Sequence, residues 1–269
     1  MSEEWLKAAS RTIRAARVDP SMPNVARVWN YLVGGRDNFE ADRQAARQLI
    51  AAAPVMEHVA PASRAFLRRT VTYLAAEAGI RQFLDIGTGM PTAGNTHEVA
   101  QAIDPSCRIV YVDNDPVVLS HARAGLRSSP EGATSYLDAD ARDTKAIVAG
   151  ASETLDFDRP VGVIMIDILN FLDDAGDVLS RLAAAVPAGS YLAAMQPTRD
   201  ERLIVAARRW NQLAPIPVIL RDRDQVVQWF TGLELVEPGI VEVHQWRPVP
   251  GDPDYPGGMP LLGAVARKP

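Results

Sequence analysis

The chain has 269 residues, of which 47% are hydrophobic and 23% charged; that balance excludes a collagen-like, membrane-embedded or wholly disordered class, and the length suits one α/β domain with an appendage. A net charge of −5 argues against a nucleic-acid partner, whose phosphates call for a basic surface. Cys107 is the single cysteine, so an intrachain disulfide and a cysteine-based zinc site are excluded and a packed thiol is expected.

In chain order, residues 1–80 read as helical without strand alternation and are expected to form an N-terminal cap or lid, with 81–269 as one compact unit. The N-terminus lacks the apolar run of a secretory signal, since Arg11, Arg14 and Arg17 sit among small residues. The longest uncharged stretch, Leu182 to Thr198, is cut by Pro187-Ala188-Gly189-Ser190, so no membrane span is expected and the chain reads as cytoplasmic. Val28 to Phe39 carries two glycines, then an amide and an aromatic, a pattern odd for a surface helix and suggestive of a lid. Arg64 to Ala76 puts Phe66, Leu67, Thr70, Val71 and Leu74 on one helical face, with a C-cap signal at Gly79.

From residue 81 strands and helices alternate, which implies a parallel sheet with helices on both faces. The expected strands are Gln82–Asp85, Arg108–Val112, Ala133–Leu137, Val161–Ile166 and Ser190–Met195. Asp115 before Pro116, Asp143, and Asp173 or Asp174 are expected helix starts, and Asp222 with Gln225 resembles a capping box. Ala206 to Leu213 reads as amphipathic around Trp210. Short strand-like pieces at 233–239 and 239–243, and one more at 259–266, are expected to close the sheet in antiparallel fashion.

The chemistry concentrates where the first strand breaks into Asp85-Ile86-Gly87-Thr88-Gly89. Such a loop leaves backbone N–H groups facing whatever lies above the turn, and an acid ending the next strand can receive ribose hydroxyls. Asp113 stands 26 residues after Gly87, close to the roughly 20 expected. A dinucleotide site requires a third glycine, but Met90-Pro91-Thr92 follows here, and Asp85 would sit badly beside a pyrophosphate yet well beside an ammonium. S-adenosylmethionine, cationic and phosphate-free, fits better than a nicotinamide dinucleotide. In the acid-rich loop after Leu137, Asp140 suits an adenine amino group and Asp143 a helix cap.

Several blocks together, Asn24 to Gly35 with Asn38-Phe39, Phe83 to Gly89, Pro91-Thr92 with Asn95 and His97 to Ala100, Val110 to Pro116, and Gly232 to Gly239, resemble the actinobacterial S-adenosylmethionine methyltransferase family long catalogued as a domain of unknown function. The resemblance runs from about residue 20 to 266. It implies the Rossmann-like class I methyltransferase fold, a mostly parallel seven-stranded α/β sheet with an N-terminal helical cap, and no particular acceptor. It implies that Asp85, Gly87 and Gly89 face the methionine part of the cofactor, with Thr88, Thr92 and Asn95 also among the cofactor-binding residues. Asp113 and Asn114 then meet the ribose, Asp140 and Ala141 the adenine, and Arg64 the carboxylate, while Tyr31, Gly35 and Asn38 belong to the lid. The family pattern carries a histidine where this chain has Asn170, and an amide cannot act as a general base near neutral pH.

Methyl transfer from a sulfonium is an in-line displacement that positioning and desolvation can accelerate without a covalent nucleophile. Asp167 or Asn170, after the fourth strand, could orient the acceptor, although strand-end hydrogen bonding or helix capping explains such residues equally. The expected partner is a small-molecule acceptor, with no nucleic acid or membrane; the alternative is a cofactor-binding sensor or partner module with little turnover. No metal is expected: His97-Glu98-Val99-Ala100-Gln101 lacks the second histidine of a zinc motif, and His58, His121 and His244 are scattered. Neither a G-x-S-x-G elbow nor a phosphate loop ending in G-K-[ST] is present.

Overall fold

A computed structural model describes residues 19–125, 127–255 and 257–269, so the start of the 1–80 region lies outside the described residues. Three helices come first: α1 (Val25–Leu32), α2 (Glu40–Ala52) and α3 (Met56–Ala76). Strands and helices then alternate as β1 (Gln82–Ile86), α4 (Thr96–Ile103), β2 (Arg108–Asp113), α5 (Pro116–Gly125), β3 (Ala133–Asp138), α6 (Thr144–Ala151), β4 (Gly162–Met165), α7 (Ala175–Ala185), β5 (Tyr191–Pro197), α8 (Glu201–Leu213) and α9 (Arg223–Gln228). The chain closes with β6 (Glu234–Leu235), β7 (Val241–Glu242) and β8 (Leu261–Arg267).

The strands run in the order β3-β2-β1-β4-β5-β8-β6, with β7 also paired to β8. The first five are parallel, in registers such as Asp85 beside Tyr111 and Tyr111 beside Tyr136; β8 is antiparallel to β5, β6 and β7. The expected seven strands become eight because the sixth is interrupted. Its two halves, β6 and β7, lie along the same edge of β8 on either side of Glu237-Pro238-Gly239, where proline has no N–H to offer the ladder and Gly239 turns left-handed at φ +83°.

Strand alternation sorts the side chains to two faces. Phe83, Ile109, Tyr111 and Ile164 join one core with Phe66 of α3 and Trp246, while Leu84, Val110, Val112 and Val163 join the other with Ile147 of α6 and Leu179 of α7. Covering both faces explains why β1 and β4 are wholly buried.

Three of the expected caps form, while α7 begins after Asp174 without a side-chain cap hydrogen bond. Asp143 accepts from the Ala146 N–H at 3.1 Å, Asp115 from the Val117 N–H at 2.8 Å, and the Asp222 N–H donates to Gln225 at 3.0 Å. Two helices start earlier than their apolar periodicity implies. α3 begins at Met56 and carries Pro61 inside, tolerating one missing intrahelical bond because Val59, Ala60, Ala62 and Ser63 around it are buried. α8 begins at Glu201, capped by Asp200.

α3 ties the tail of the chain to the sheet. Buried Arg69 donates to the carbonyls of Trp246 at 2.8 Å and Val243 at 2.5 Å and pairs with Asp252 at 2.6 Å. Arg69→Met leaves two carbonyls and a buried carboxylate short of a partner; the expected loss is about 3 kcal/mol, since Asp252 keeps Arg68. A thermal melt should then show a midpoint lower by roughly 6–12 °C.

Candidate active site

The C-terminal ends of the parallel strands converge on a cavity of about 540 Å³, where a doubly wound sheet places its ligands. β1 delivers Asp85 and then Gly87, whose φ of +76° is left-handed. A methyl group on Gly87 would lie 2.5 Å from Ile168 Cβ, so both the turn and the close approach require glycine here. The Gly87 N–H donates to Val112 O at 2.8 Å, and the Gly89 N–H donates to Asp113 Oδ2 at 2.9 Å. Asp113 Oδ1 accepts from the Asp115 N–H at 2.9 Å. The loop and the end of β2 are thereby one unit.

Asp85 is buried and accepts from the Thr96 hydroxyl at 2.6 Å. Burial pushes its carboxyl up to about 6, against the opposing pull of that hydroxyl and of Arg64. Asp113 is pushed up to about 6 by burial, despite the N–H groups it accepts from. Arg64 donates to the carbonyls of Gly94 at 2.9 Å and Ala93 at 3.3 Å, and burial lowers its pKa. Between them Asn95 accepts from the Thr92 N–H at 3.2 Å and Glu98 from the Gly94 N–H at 2.6 Å, which shapes the loop that leads into α4.

Asp140 is exposed at the rim, accepting from the Arg142 N–H at 2.8 Å, with Ala141 buried beside it. On neighbouring positions of β2 and β3, Tyr111 and Tyr136 stack with ring centres 5.2 Å apart, and both line the cavity.

At the end of β4, Asp167 has a left-handed backbone at φ +64°, a conformation aspartate tolerates better than most residues but one that is uncommon outside functional sites. Its Oδ1 accepts from the Ser63 hydroxyl of α3 at 2.9 Å, and burial pushes its carboxyl up to about 7, opposed by Ser63 and Arg64. Asn170 is buried, its backbone carbonyl accepting from Ile219 N–H at 2.8 Å while its side-chain oxygen has no hydrogen-bond partner.

Asp85, Gly87, Thr88, Gly89, Thr92, Asn95, Asp113, Asn114, Asp140, Ala141, Arg64, Asp167 and Asn170 all line this one cavity. Tyr31, Gly35 and Asn38 do not. Asn38 donates to Asn30 Oδ1 at 2.9 Å and to Gly35 O at 3.0 Å, and a side chain at Gly35 would strike the Asn30 carboxamide. These residues fold a turn around Asn30, and it is Asn30 that reaches the cavity wall. The cap is fastened by Asp42, which accepts from Arg27 at 2.7 Å and from the Asn24 and Phe39 N–H groups, and by Asn24, which donates to Asp115 at 2.6 Å.

Sequence patterning did not reveal Ser63, Thr96, Tyr111 or the wall that Leu203, Ala206 and Trp210 of α8 contribute. Ser63 meets Asp167 across 104 positions of sequence, and no local spacing signals such a contact. Trp210 alone had a signal, an aromatic on an amphipathic face.

The site suits a cationic, phosphate-free nucleoside: a glycine cradle that a single methyl group would fill, an acid at the end of β2 and another buried beside the loop, and no lysine among the described lining residues. In sequence, residues 11–269 match the model of the S-adenosyl methyltransferase family. The chain belongs to that family. In keeping with this, the crystal structure of a DUF574 family protein from Streptomyces avermitilis superposes with a TM-score of 0.90 at 42% identity, covering 94% of this chain and all of the other. A provisionally assigned methyltransferase of Thermobifida fusca superposes with a TM-score of 0.84 at 38% identity, covering 92% of this chain and 96% of that one. No curated protein matches the sequence.

The S-adenosyl methyltransferase family gives this protein its activity, methyl transfer, and its cofactor, S-adenosylmethionine. Among the described residues no helix is long and apolar enough to cross a membrane, and no cluster of three or more histidine, cysteine, aspartate or glutamate side chains could hold a metal.

Proposed function

We propose that this methyltransferase acts on a small-molecule acceptor inside the cavity beneath its cap. One observation carries the reading. The cavity of about 540 Å³ lies within the range of small-molecule sites, about 300–1,000 Å³, and is bounded by α1, α3, α8 and the strand ends together. The acidic net charge and the single buried thiol, Cys107, support a cytoplasmic enzyme with no nucleic-acid partner.

When bound, S-adenosylmethionine supplies a methyl group already activated by its sulfonium. In this reading Asp113 receives the ribose hydroxyls, Asp140 and Ala141 the adenine, Asp85 the ammonium and Arg64 the carboxylate. Asp167 and Asn170 face the remaining volume and orient the acceptor there. Asp167 supplies the proton acceptor that an amide at position 170 cannot, because a carboxyl titrating near 7 can take a proton at neutral pH. The apolar wall excludes water, which strengthens each of these polar contacts.

Incubating the protein with methyl-labelled S-adenosylmethionine and a cell extract tests this. Label is expected in the small-molecule fraction. Label in protein or RNA overturns the acceptor class, and cofactor binding with no transfer into any fraction favours the sensor reading.

A further inference from the structure

Away from the glycine loop the cavity wall is hydrocarbon, formed by Leu203, Ala206 and Trp210 of α8, Val218 and Leu220 after it, and Val59 of α3. The charged groups that border it are one-sided. Arginines supply the only cations lining the cavity among the described residues, and each is engaged: Arg27 by Asp42 at 2.7 Å, Arg142 by Asp173 and Asp174, and Arg64 by the Gly94 carbonyl at 2.9 Å. In the cofactor reading Arg64 is also the partner of the cofactor carboxylate. An anionic acceptor would therefore find no free cation and would meet the Asp167 carboxylate instead.

What the site offers an acceptor is places for N–H groups. Asp167 is fixed by its left-handed backbone and spends one oxygen on Ser63, leaving Oδ2. Asn170, three residues on, is 6% exposed, lines the same cavity, and has a side-chain oxygen without a partner. Buried acceptors left unpaired are destabilising, so a ligand that brings donors to both is selected. A hydroxyl has one hydrogen to give; an amine nitrogen has two or three.

Resting on the methyl-transfer reading above, we propose that the acceptor is an apolar amine, its nitrogen received by Asp167 and Asn170 and its hydrocarbon body by the wall around Trp210. The bound ammonium first gives a proton to the Asp167 carboxylate, which frees the nitrogen lone pair; that pair forms the bond to the methyl carbon as the carbon–sulfur bond breaks with its electron pair remaining on sulfur. The products are the N-methylated ammonium, a neutral thioether and a protonated Asp167 that returns its proton to water.

Calorimetry with S-adenosylhomocysteine present at saturation tests the assignment on shape-matched triplets such as 1-naphthylmethylamine, 1-naphthylmethanol and 1-naphthoate, with phenyl and indolyl counterparts. Within a triplet the amine is expected to bind about tenfold or more tighter than the alcohol, and the carboxylate weakest. Asp167→Asn, which suits a left-handed backbone and so keeps the fold, is expected to erase the amine's advantage over the alcohol. Equal binding of amine and alcohol, preference for the carboxylate, no binding by any triplet, or an amine advantage that survives Asp167→Asn each overturns the amine assignment and leaves methyl transfer standing. Failure of S-adenosylhomocysteine itself to bind instead overturns the methyl-transfer reading on which the assignment rests.

Discussion

Replacing Asp85 with asparagine is expected to raise the melting temperature at pH 8 and at the same time weaken S-adenosylhomocysteine binding. The carboxyl titrates near 6 in the folded chain against 3.8 when free, because burial outweighs the Thr96 hydrogen bond. With a raised folded pKa, the group's contribution to stability is complete below about pH 4, where both states are protonated, and is lost as pH rises through 6. At pH 8 the ionised, desolvated carboxylate is therefore destabilising by about 2–3 kcal/mol. Asparagine removes that burden, and the melting midpoint should rise by roughly 4–12 °C. The same change deletes the charge proposed to meet the cofactor ammonium, so affinity should fall about 10- to 100-fold. Melts at pH 4 and pH 8 with calorimetry at pH 8 check both halves; an unchanged melting midpoint at pH 8, or undiminished affinity, contradicts this account of Asp85. Asp113 and Asp167 carry the same sign, so the unliganded wild type should itself lose stability between about pH 4 and 7.

Gly87→Ala is expected to abolish measurable cofactor binding and to destabilise the fold. The left-handed backbone costs a side chain about 1–2 kcal/mol, and the methyl group, 2.5 Å from Ile168 Cβ, adds about 1–3 kcal/mol of overpacking. Relief by movement would pull the Gly87 N–H off Val112 O and shift the loop. Gly89 separates the two contributions. Its φ is +63°, but nothing lies within 4 Å of the place a methyl group would take, so Gly89→Ala should show the backbone cost alone, about 1–2 kcal/mol. If the clash is the cause, Gly87→Ala combined with Ile168→Ala should lose less stability than the two single losses summed, because Ile168→Ala alone carries its own packing cost. Denaturant titration of the wild type, Gly87→Ala, Ile168→Ala and the double variant is decisive: strictly additive losses refute the steric cause.

The parallel half of the sheet was legible because each buried strand is a short apolar run stopped by glycine or acid, and those stops are local. The early start of α3 through Pro61 was harder, since proline looks like punctuation whether or not neighbours compensate for it; the two short strand pieces meeting at Gly239 were legible. Asp85, Gly87 and Asp113 could be placed from spacing because a strand, a turn and the next strand fix their separation. Ser63 and the α8 wall could not, because their meeting with Asp167 depends on how α3 and α8 lie over the sheet. Gly35 and Asn38 mark the reverse difficulty. Two glycines and an amide make the same pattern around a bound molecule as around the chain's own Asn30.

The bond from the Gly89 N–H to Asp113 means that the corner proposed to take the adenosine is held by the chain's own hydrogen bond. Little freedom remains to be surrendered on capture, so exchange of spent donor for fresh need not await refolding of that corner. Choice between the two then falls on one positive charge at sulfur: a hollow ringed with aspartates holds the donor while it is cationic and loosens its grip once the methyl group has gone.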